Sequence, residues 1–523
     1  MKKQTLLAVL MLMSSLALAQ TLVVGGSQKG VWDADTVLVV SDVIVDESLT
    51  VHPGTVVLFD GFYGITVPKD ASFEAVGNER DSIVFTVPDT TGFHLYLTGK
   101  GAWNGIQLDR AGHFLLDYCS LKYGKCLDSL ELIGGALRID HCEDVQIYHS
   151  TFCHNTSFRK GGALNAFESQ VVMKGCSLHH NSVHYAVDLY NYGGAACFLK
   201  CDVKMREMEF RSNDGSVCVG GALSLDSCSL ILDRSVFVDN IGVNGAGLYL
   251  MRSNDYKCQM SNLLFDNNFS LHFGGGFALC DVSPEVSNVL VVNNSSDGVS
   301  CNGIFFYGHS SPRMTNCIVY GNYSPHPEMI DDAQMWVWTT DGFGPAFNHC
   351  LIEGDTNYIH SPEYITAFNH ILDTDPLFVD FENHDFRLAP GSPCIDAGCR
   401  ETPQYVLDGL DLDGRPRVDN QRIDIGPYEF VGASVSEHSS TAFARLIGNP
   451  LSVYSRIVFD EDLEGEVTVS VYAMTGRCVV QKAYGVESSK NLAIGELVER
   501  LADGVYLIEV GNKNRTCAFK AVK

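Results

Sequence analysis

Seven times between residues 131 and 322 a bulky apolar residue is followed three positions later by asparagine. The pairs are Phe152/Asn155, Leu178/Asn181, Phe210/Asn213, Phe237/Asn240, Phe265/Asn268, Val291/Asn294 and Val319/Asn322. The asparagines advance by 26, 32, 27, 28, 26 and 28 residues. A second motif alternates with the first, a glycine pair followed by small or apolar residues, beginning at Gly134, Gly161, Gly193 and Gly220. Looser copies are Gly245-Ala246-Gly247-Leu248 and Gly275-Gly276-Phe277-Ala278. Self-similarity at a fixed period of this size means a solenoid.

The residues between the motifs decide which solenoid. Segments such as Ala136–Asp140 and Ser229–Asp233 are short and rich in branched apolar residues. They lack the i, i+3, i+4 apolar stripe and the length of a helix. Strands of about 5–6 residues fit three to a period, which is one coil of a parallel β-helix. The inward Phe, Leu or Val of each coil then stacks on its neighbour about 4.8 Å away. Asparagine tolerates the left-handed backbone of a tight corner, and stacked Asn side chains bond one another along the axis. Glycine at the other corner permits positive φ and close approach of coils. The expected class is all-β, a parallel β-helix followed by a small antiparallel sandwich.

With those residues in view, the alternation of GGA-type and FxxN-type motifs over residues 130–325 resembles the chlamydial polymorphic outer membrane proteins and related bacterial surface proteins. The resemblance implies a right-handed β-helix and a surface location, not a reaction. Residues 1–19 read as a signal peptide, with Lys2 and Lys3, the apolar run Leu6–Leu12 and Ala17-Leu18-Ala19 before the cut. That run is too short to span a bilayer. Residues 20–130 read as the opening coils and cap. Leu49–Phe59, Asp81–Thr86 and Trp103–Leu108 have strand character without the glycine-pair signature, as suits terminal repeats. The repeat-bearing helix spans 131–373. With Asp+Glu 63 against Lys+Arg 36 the net charge is −27, which excludes nucleic acid as a partner.

Residues 323–350 form a longer insert with Asp331, Asp332, Trp336, Trp338 and Phe343. A sugar-stacking platform is one reading. The favoured one packs these aromatics under the insert or onto the inner column, since Met335–Thr339 alternates and puts both tryptophans on one face. Residues 374–430 carry Asp375–Val379, Asp385–Leu388, Gly391–Gly398, Asp411–Arg417 and Asp424–Glu429 in that order. They resemble the type Q choice-of-anchor domain, which implies closure of the C-terminal end of the solenoid. Asp408, Asp411, Asp413 and Gly414 imitate the start of a calcium loop, but Arg422 stands where an EF-hand needs glutamate. These carboxylates are read as turn caps, and no metal or cofactor is expected.

A small-residue linker, 431–441, leads to a last domain, 442–523. Asn449-Pro450, Val469–Arg477, Leu501–Ile508 and the basic finish Lys520–Lys523 resemble the type A sorting domain of type IX secretion. That resemblance implies a small β-sandwich, export by the type IX machinery, removal of the tail and attachment to surface lipopolysaccharide.

The chain has 18 cysteines. Cys142, Cys201 and Cys228 each lie eight residues after the first glycine of a pair, so they should stack on one face. Cys201 and Cys228 fall in successive coils, within disulfide range; a buried thiol ladder is the alternative. Cys394 with Cys399, and Cys478 with Cys517, are the other candidate pairs. For catalysis, Asp140, Asp226 and Asp233 look scattered and without a matching Arg or Lys. His179, His180 and His184 share a corner region and read as turn histidines rather than metal ligands. No catalytic, cofactor-binding or metal-binding residue is assigned. The expectation is a non-catalytic adhesin or a stalk binding extracellular glycans or matrix. The alternative is a secreted polysaccharide-degrading enzyme, pectate lyase-like or a glycoside hydrolase.

Overall fold

The computed structural model describes residues 20–523 apart from 96, 128–133, 185–190, 298–300, 326–332, 400–401, 408, 419–421, 431–443, 448–450, 452–454, 474–477, 499, 502–504 and 513–515. The segments read as signal peptide and linker, and Asp331, Asp332, Asp408 and Asn449-Pro450, thus lie outside the described residues. Contacts divide the chain into two compact units, with the boundary between Phe430 and Val431.

In the first unit each full coil supplies three strands, and each strand stacks in parallel on its counterpart one coil away. Leu137–Asp140, Val145–Tyr148 and Thr151–Cys153 form one coil. The next places Leu164 beside Leu137, Val171 beside Val145 and Leu178 beside Phe152. The result is three parallel columns in a 32-stranded sheet, a parallel β-helix. A fourth, shorter column follows the asparagine corner, with Thr156–Ser157, Ser182–Val183 and Ile241–Asn244 among its strands. Because side chains alternate along a strand, Leu137, Ile139, Val145, Ile147 and Phe152 all point into the coil and are buried. Phe210, Phe237 and Phe265 stack at 4.7 Å between successive rings, the coil spacing itself.

The corners show how backbone demands are shared. Asn155, Asn181, Asn213, Asn240, Asn268, Asn294 and Asn322 are all buried, and they form one continuous ladder. Each donates its backbone N–H and its Nδ2 to Oδ1 of the next. Asn155 bonds Asn181 in this way at 3.0 Å for both donors, and Asn181 bonds Asn213 at 3.1 Å for both. The pattern continues from Asn213 to Asn240 and from Asn240 to Asn268, at 3.1 Å from N–H and 2.9 Å from Nδ2. Asn268 bonds Asn294, and Asn294 bonds Asn322, each at 3.0 and 2.9 Å. At the end Gln334 Oε1 takes the donors of Asn322. Nδ2 of Asn240 also reaches the carbonyl of Phe210 at 2.9 Å.

The left-handed backbone expected of these asparagines is found elsewhere. Asn155, Asn181, Asn213, Asn240, Asn268, Asn294 and Asn322 are all absent from the residues with positive φ. The residue before each one turns instead: His154, His180, Ser212, Asp239, Asn267, Asn293 and Gly321 all have φ between 50° and 65°. The expectation placed both jobs on one residue. The correction has a physical reason, since the left-handed turn at the preceding residue is what aims the Asn side chain inward.

The glycine pair divides its work in the same manner. The first member has positive φ (Gly134 63°, Gly161 58°, Gly193 64°, Gly220 72°), and in the sixth copy this role falls to Gly274 at 66°. The second member lies against the next coil, where a Cβ on Gly194 would stand 1.9 Å from the carbonyl oxygen of Gly221.

Cys142, Cys201 and Cys228 share one buried ladder with Ser169 and Ser253. Cys142 N–H donates to Ser169 Oγ (2.9 Å), Cys201 N–H to Cys228 Sγ (3.3 Å) and Cys228 N–H to Ser253 Oγ (3.0 Å). Serine and cysteine thus serve alike as acceptors at this corner. Cys317 and Cys350 repeat the arrangement at another corner, N–H to Sγ at 3.4 Å. All of these cysteines are free thiols in the structure, as is Cys394. Cys394 packs in an apolar cluster with Ile425 and Phe386, while Cys399 accepts from Asn348 Nδ2 at 3.3 Å.

The segment 374–430 corrects an expectation. It does not simply close the end of the solenoid; it lies along the outer side of the third column. Phe386, Leu388, Cys394 and Ile425 cover the outward residues Leu264, Leu290, Val292, Ile318 and Leu351. Asn288 donates to the carbonyls of Asp424 (3.1 Å) and Gly426 (3.0 Å), and His384 bonds Asp266 at 2.8 Å. The physical reason is that these strands are apolar on both faces, as in Val289-Leu290-Val291-Val292, so the outer face needs a cover. Tyr364, Ile365, Phe368 and Ile371 pack against the last coils of the inner core.

Within the flank, Arg417 is fully buried and pairs with Glu429 at 2.8 Å, while Asp411 and Asp424 are buried nearby. Asp411 caps its turn, accepting from the N–H of Arg415 (2.7 Å) and of Glu429 (2.9 Å). Burial raises the Glu429 carboxyl to about 8, reinforced by Asp424 and Asp411 and opposed by Arg417. A carboxyl raised above its ordinary 4.5 binds a proton in the fold that it has lost in the unfolded chain. Its stabilising contribution is therefore full below about pH 4.5 and is lost as pH rises through about 8. Glu429→Gln should flatten that part of the melting-temperature profile, read by thermal denaturation at a series of pH values; an unchanged slope would remove Glu429 from the account.

The second unit is a five-stranded antiparallel sheet. Ile457, Phe459, Val467, Val469, Val471, Ile508 and Val510 build its own core with Leu497 and Val498 of a short helix. Cys478 lies in the strand Cys478–Ala493 and Cys517 in Thr516–Val522. Arg456–Ala473 and Val505–Gly511 stand between them in the sheet, so adjacent-strand pairing of these cysteines is not available.

Candidate functional site

Outward positions of the first column form a continuous surface stripe along the solenoid. In each of its strands the second and fourth residues point out, and the register stacks them coil on coil. Asp140 lies beside Asp109, Phe167 beside Asp140, and Leu199 beside Phe167. Further along, Tyr307 lies beside Cys280 and Trp338 beside Tyr307. One stripe thus runs from the carboxylates Asp109 and Asp140 past Phe167 and Leu199, is interrupted by Asp226, and ends in aromatics.

At the first end the stripe opens into a cleft of about 490 Å³, lined by Asp109, Arg110, Arg138, Asp140, Lys160, Asn165 and Phe167 among others. Asp109 is paired with Arg110 (3.0 Å) and Asp140 with His141 (2.9 Å). Arg138 is 8% exposed and Asn165 5%. Phe167 forms a wall, with Lys200 Nζ 5.6 Å from its ring centroid and His141 edge-on at 5.3 Å. Asp140 therefore does share its cleft with basic residues, Arg138 from its own strand and Arg110 and Lys160 from neighbouring coils, which sequence reading missed. Asp226 is held by Arg252 midway along the same column, between Leu199 and Met251. Asp233 sits on the second column with Ser261 (2.8 Å), Asn262 (2.9 Å) and Arg206 (3.2 Å). The three aspartates do not converge.

At the other end Met335 and Val337 fill the interior, and Trp336 and Trp338 face out. Of the two placements expected for the tryptophans, the inner column is not taken; Trp336 instead packs partly buried against Ala278, Cys301 and Phe305. The two tryptophan rings stack at 5.1 Å and 12°. Tyr307 meets Trp338 edge-on at 5.8 Å, and Phe305 meets Trp336 at 5.9 Å. Tyr307 is 42% exposed and Trp338 51%. The signal was present in the sequence: of the two alternating faces, Met335 and Val337 are the better core residues.

The corner histidines hold one another. His179 and His180 meet Nδ1 to Nδ1 at 2.9 Å, and His154 stacks on His180 at 5.2 Å. His184 is apart, against Ser182 Oγ at 2.7 Å. Burial lowers the pKa of His154, His179 and His184. Among the described residues no group of three His, Cys, Asp or Glu is placed to hold a metal ion.

The second unit supplies the assignment that sequence comparison supports. Residues 448–523 match the secretion system C-terminal sorting domain, the tail of type IX secretion. A search of curated proteins returns no match for the chain. The chain therefore carries an address for secretion or cell-surface export. No helix among the described residues is long and apolar enough to cross a membrane.

Proposed function

We propose that the chain is a non-catalytic, surface-displayed β-helix whose first column binds an extended glycan outside the cell. The observation that carries this reading is the outward shelf of Tyr307, Trp336 and Trp338. Exposed clustered aromatics on a soluble surface mark a binding site, and their flat faces suit the C–H face of a pyranose ring. The sorting tail supports the same setting, since it directs the chain toward the exterior, where glycans are the abundant partners. Surface lipopolysaccharide is the proposed attachment for the tail.

The test is a glycan array with the purified chain, repeated with Trp338→Ala and Tyr307→Ala. Each variant should lose about tenfold or more in affinity for the neutral glycans retained by the parent, with little change in melting temperature because both side chains are half in water. Retention of every glycan by both variants would remove the shelf from the site. Deleting 431–523 should leave a folded solenoid inside the cell, with an unfolding midpoint close to that of the exported form; a truncated chain that still reaches the surface would contradict the role given to the tail.

A second reading is a polysaccharide-degrading enzyme, favoured by Asp109 and Asp140 in adjacent coils of one cleft. Paired carboxylates about 5–9.5 Å apart are the requirement for glycoside hydrolysis. Release of reducing ends or unsaturated products, abolished by Asp140→Asn, would establish it over the binding reading.

A further inference from the structure

The geometry points to the cleft at the first end of the stripe as a subsite for a carboxylate-bearing sugar, a uronate residue of the bound glycan, held by Arg138 and Lys160. This rests on the glycan-binding reading and extends it from the neutral aromatic shelf to a separate acidic position.

The argument begins with a guanidinium whose donors are underused. Arg138 is 8% exposed, lines the cleft, and its Nε has no hydrogen-bond partner among the described residues. Its Nη1 reaches the thiol of Cys126, a weak acceptor, at 3.8 Å. Arginine presents five N–H donors in a planar fork that matches a carboxylate, and leaving such a group buried and unpaired is costly. Lys160 lines the same cleft, its ammonium 5.4 Å from the centroid of the Tyr192 ring.

The cleft lining carries Arg110, Arg138 and Lys160 against two carboxylates, Asp109 and Asp140. Asp109 is bound to Arg110, and with Arg138 and Lys160 against Asp140 the described lining keeps a cationic excess on a chain of net charge −27. An anion is therefore favoured here. Asn165, buried at the same wall, offers an amide for a sugar hydroxyl, and Phe167 a face for the ring. The cleft, about 490 Å³, falls within the size range of small-ligand sites.

The experiment titrates the purified full chain with oligogalacturonate, with its carboxyl-reduced neutral counterpart and with a sulfated galactan free of carboxylates. Oligogalacturonate should bind at least about tenfold more tightly than its reduced counterpart and weaken as salt rises. Arg138→Gln and Lys160→Gln should each lower its affinity about tenfold while sparing neutral glycans at the shelf. Trp338→Ala should do the reverse. Arg138→Lys keeps the charge without the fork and should recover only part of the loss. Because Arg138 is buried, folding of its variants is checked by melting, and Lys160→Gln decides if they do not fold. Equal binding of the acidic and reduced oligomers, or insensitivity to Lys160→Gln, would overturn the subsite. Equal, Arg138-dependent binding of the sulfated galactan would overturn the carboxylate assignment. Neutral glycans bound with no uronate binding would sink the subsite and leave the shelf standing; no glycan bound at all would sink both.

Discussion

Replacing Asn240 with alanine should cost the solenoid on the order of 3–6 kcal/mol. The substitution strands three buried groups: the backbone N–H and Nδ2 of Asn213, which lose Oδ1, and the carbonyl of Phe210, which loses Nδ2. Each unsatisfied buried polar group costs about 1–3 kcal/mol, and Asn213, Asn240 and Phe210 are buried at the corner. The neighbouring Asn267→Ala is the control. Asn267 is exposed, has φ of 54° and bonds the side chain of Asp239 at 2.8 Å. Its loss should cost about 1 kcal/mol, mostly left-handed backbone strain. Guanidinium denaturation of the two variants should separate them by more than about 2 kcal/mol. Equal midpoints would mean that the ladder is not a main source of stability. Asn181→Ala and Asn294→Ala, which break the same pair of bonds two coils to either side, should resemble Asn240→Ala rather than the control.

Gly194→Ala should be harsher still. A methyl group there would meet the Gly221 carbonyl oxygen at 1.9 Å and Gly215 N at 2.8 Å. Both obstacles are backbone of stacked coils, so relief requires the coils to part and their parallel pairing to break. We expect a loss above about 4 kcal/mol, seen as insoluble chain or a melting temperature many degrees lower. Gly485→Ala in the second unit meets nothing within 4 Å and should be close to neutral. A soluble Gly194→Ala protein with an unchanged melting temperature would refute the close approach assigned to the second glycine of each pair.

Repeat period, strand character and the sorting tail were all legible along the chain, because each depends on residues near one another in sequence. The tail's strand alternation follows from local patterning in the same sense, whereas its short helix was not read from the sequence. The asparagine corner was legible as a ladder and misread in its backbone, since a motif shows which residues recur and not which of two neighbours turns. The flank was legible only in part. Its order of short motifs suggested an end cap, yet its resting place depended on the double-faced apolar strands around Leu264, Leu290 and Ile318, whose outer side has to be covered. The aromatic shelf was legible as a pattern and misjudged in direction, since alternation alone says that two tryptophans share a face and not which face.

The cleft was the least legible feature. Asp109, Arg138, Lys160, Asn165 and Phe167 line it from different coils, and no short-range motif joins them. Sequence alone determined the coil, because a period near 27 residues with glycine and asparagine corners leaves one economical way to stack short strands. Only the tertiary structure decided which outward side chains meet. Register sets neighbours across coils about 4.8 Å apart, and a shift of one residue would turn every outward side chain inward. The meeting of Arg138 and Lys160 in one cleft and the exposure of Trp338 are consequences of that register.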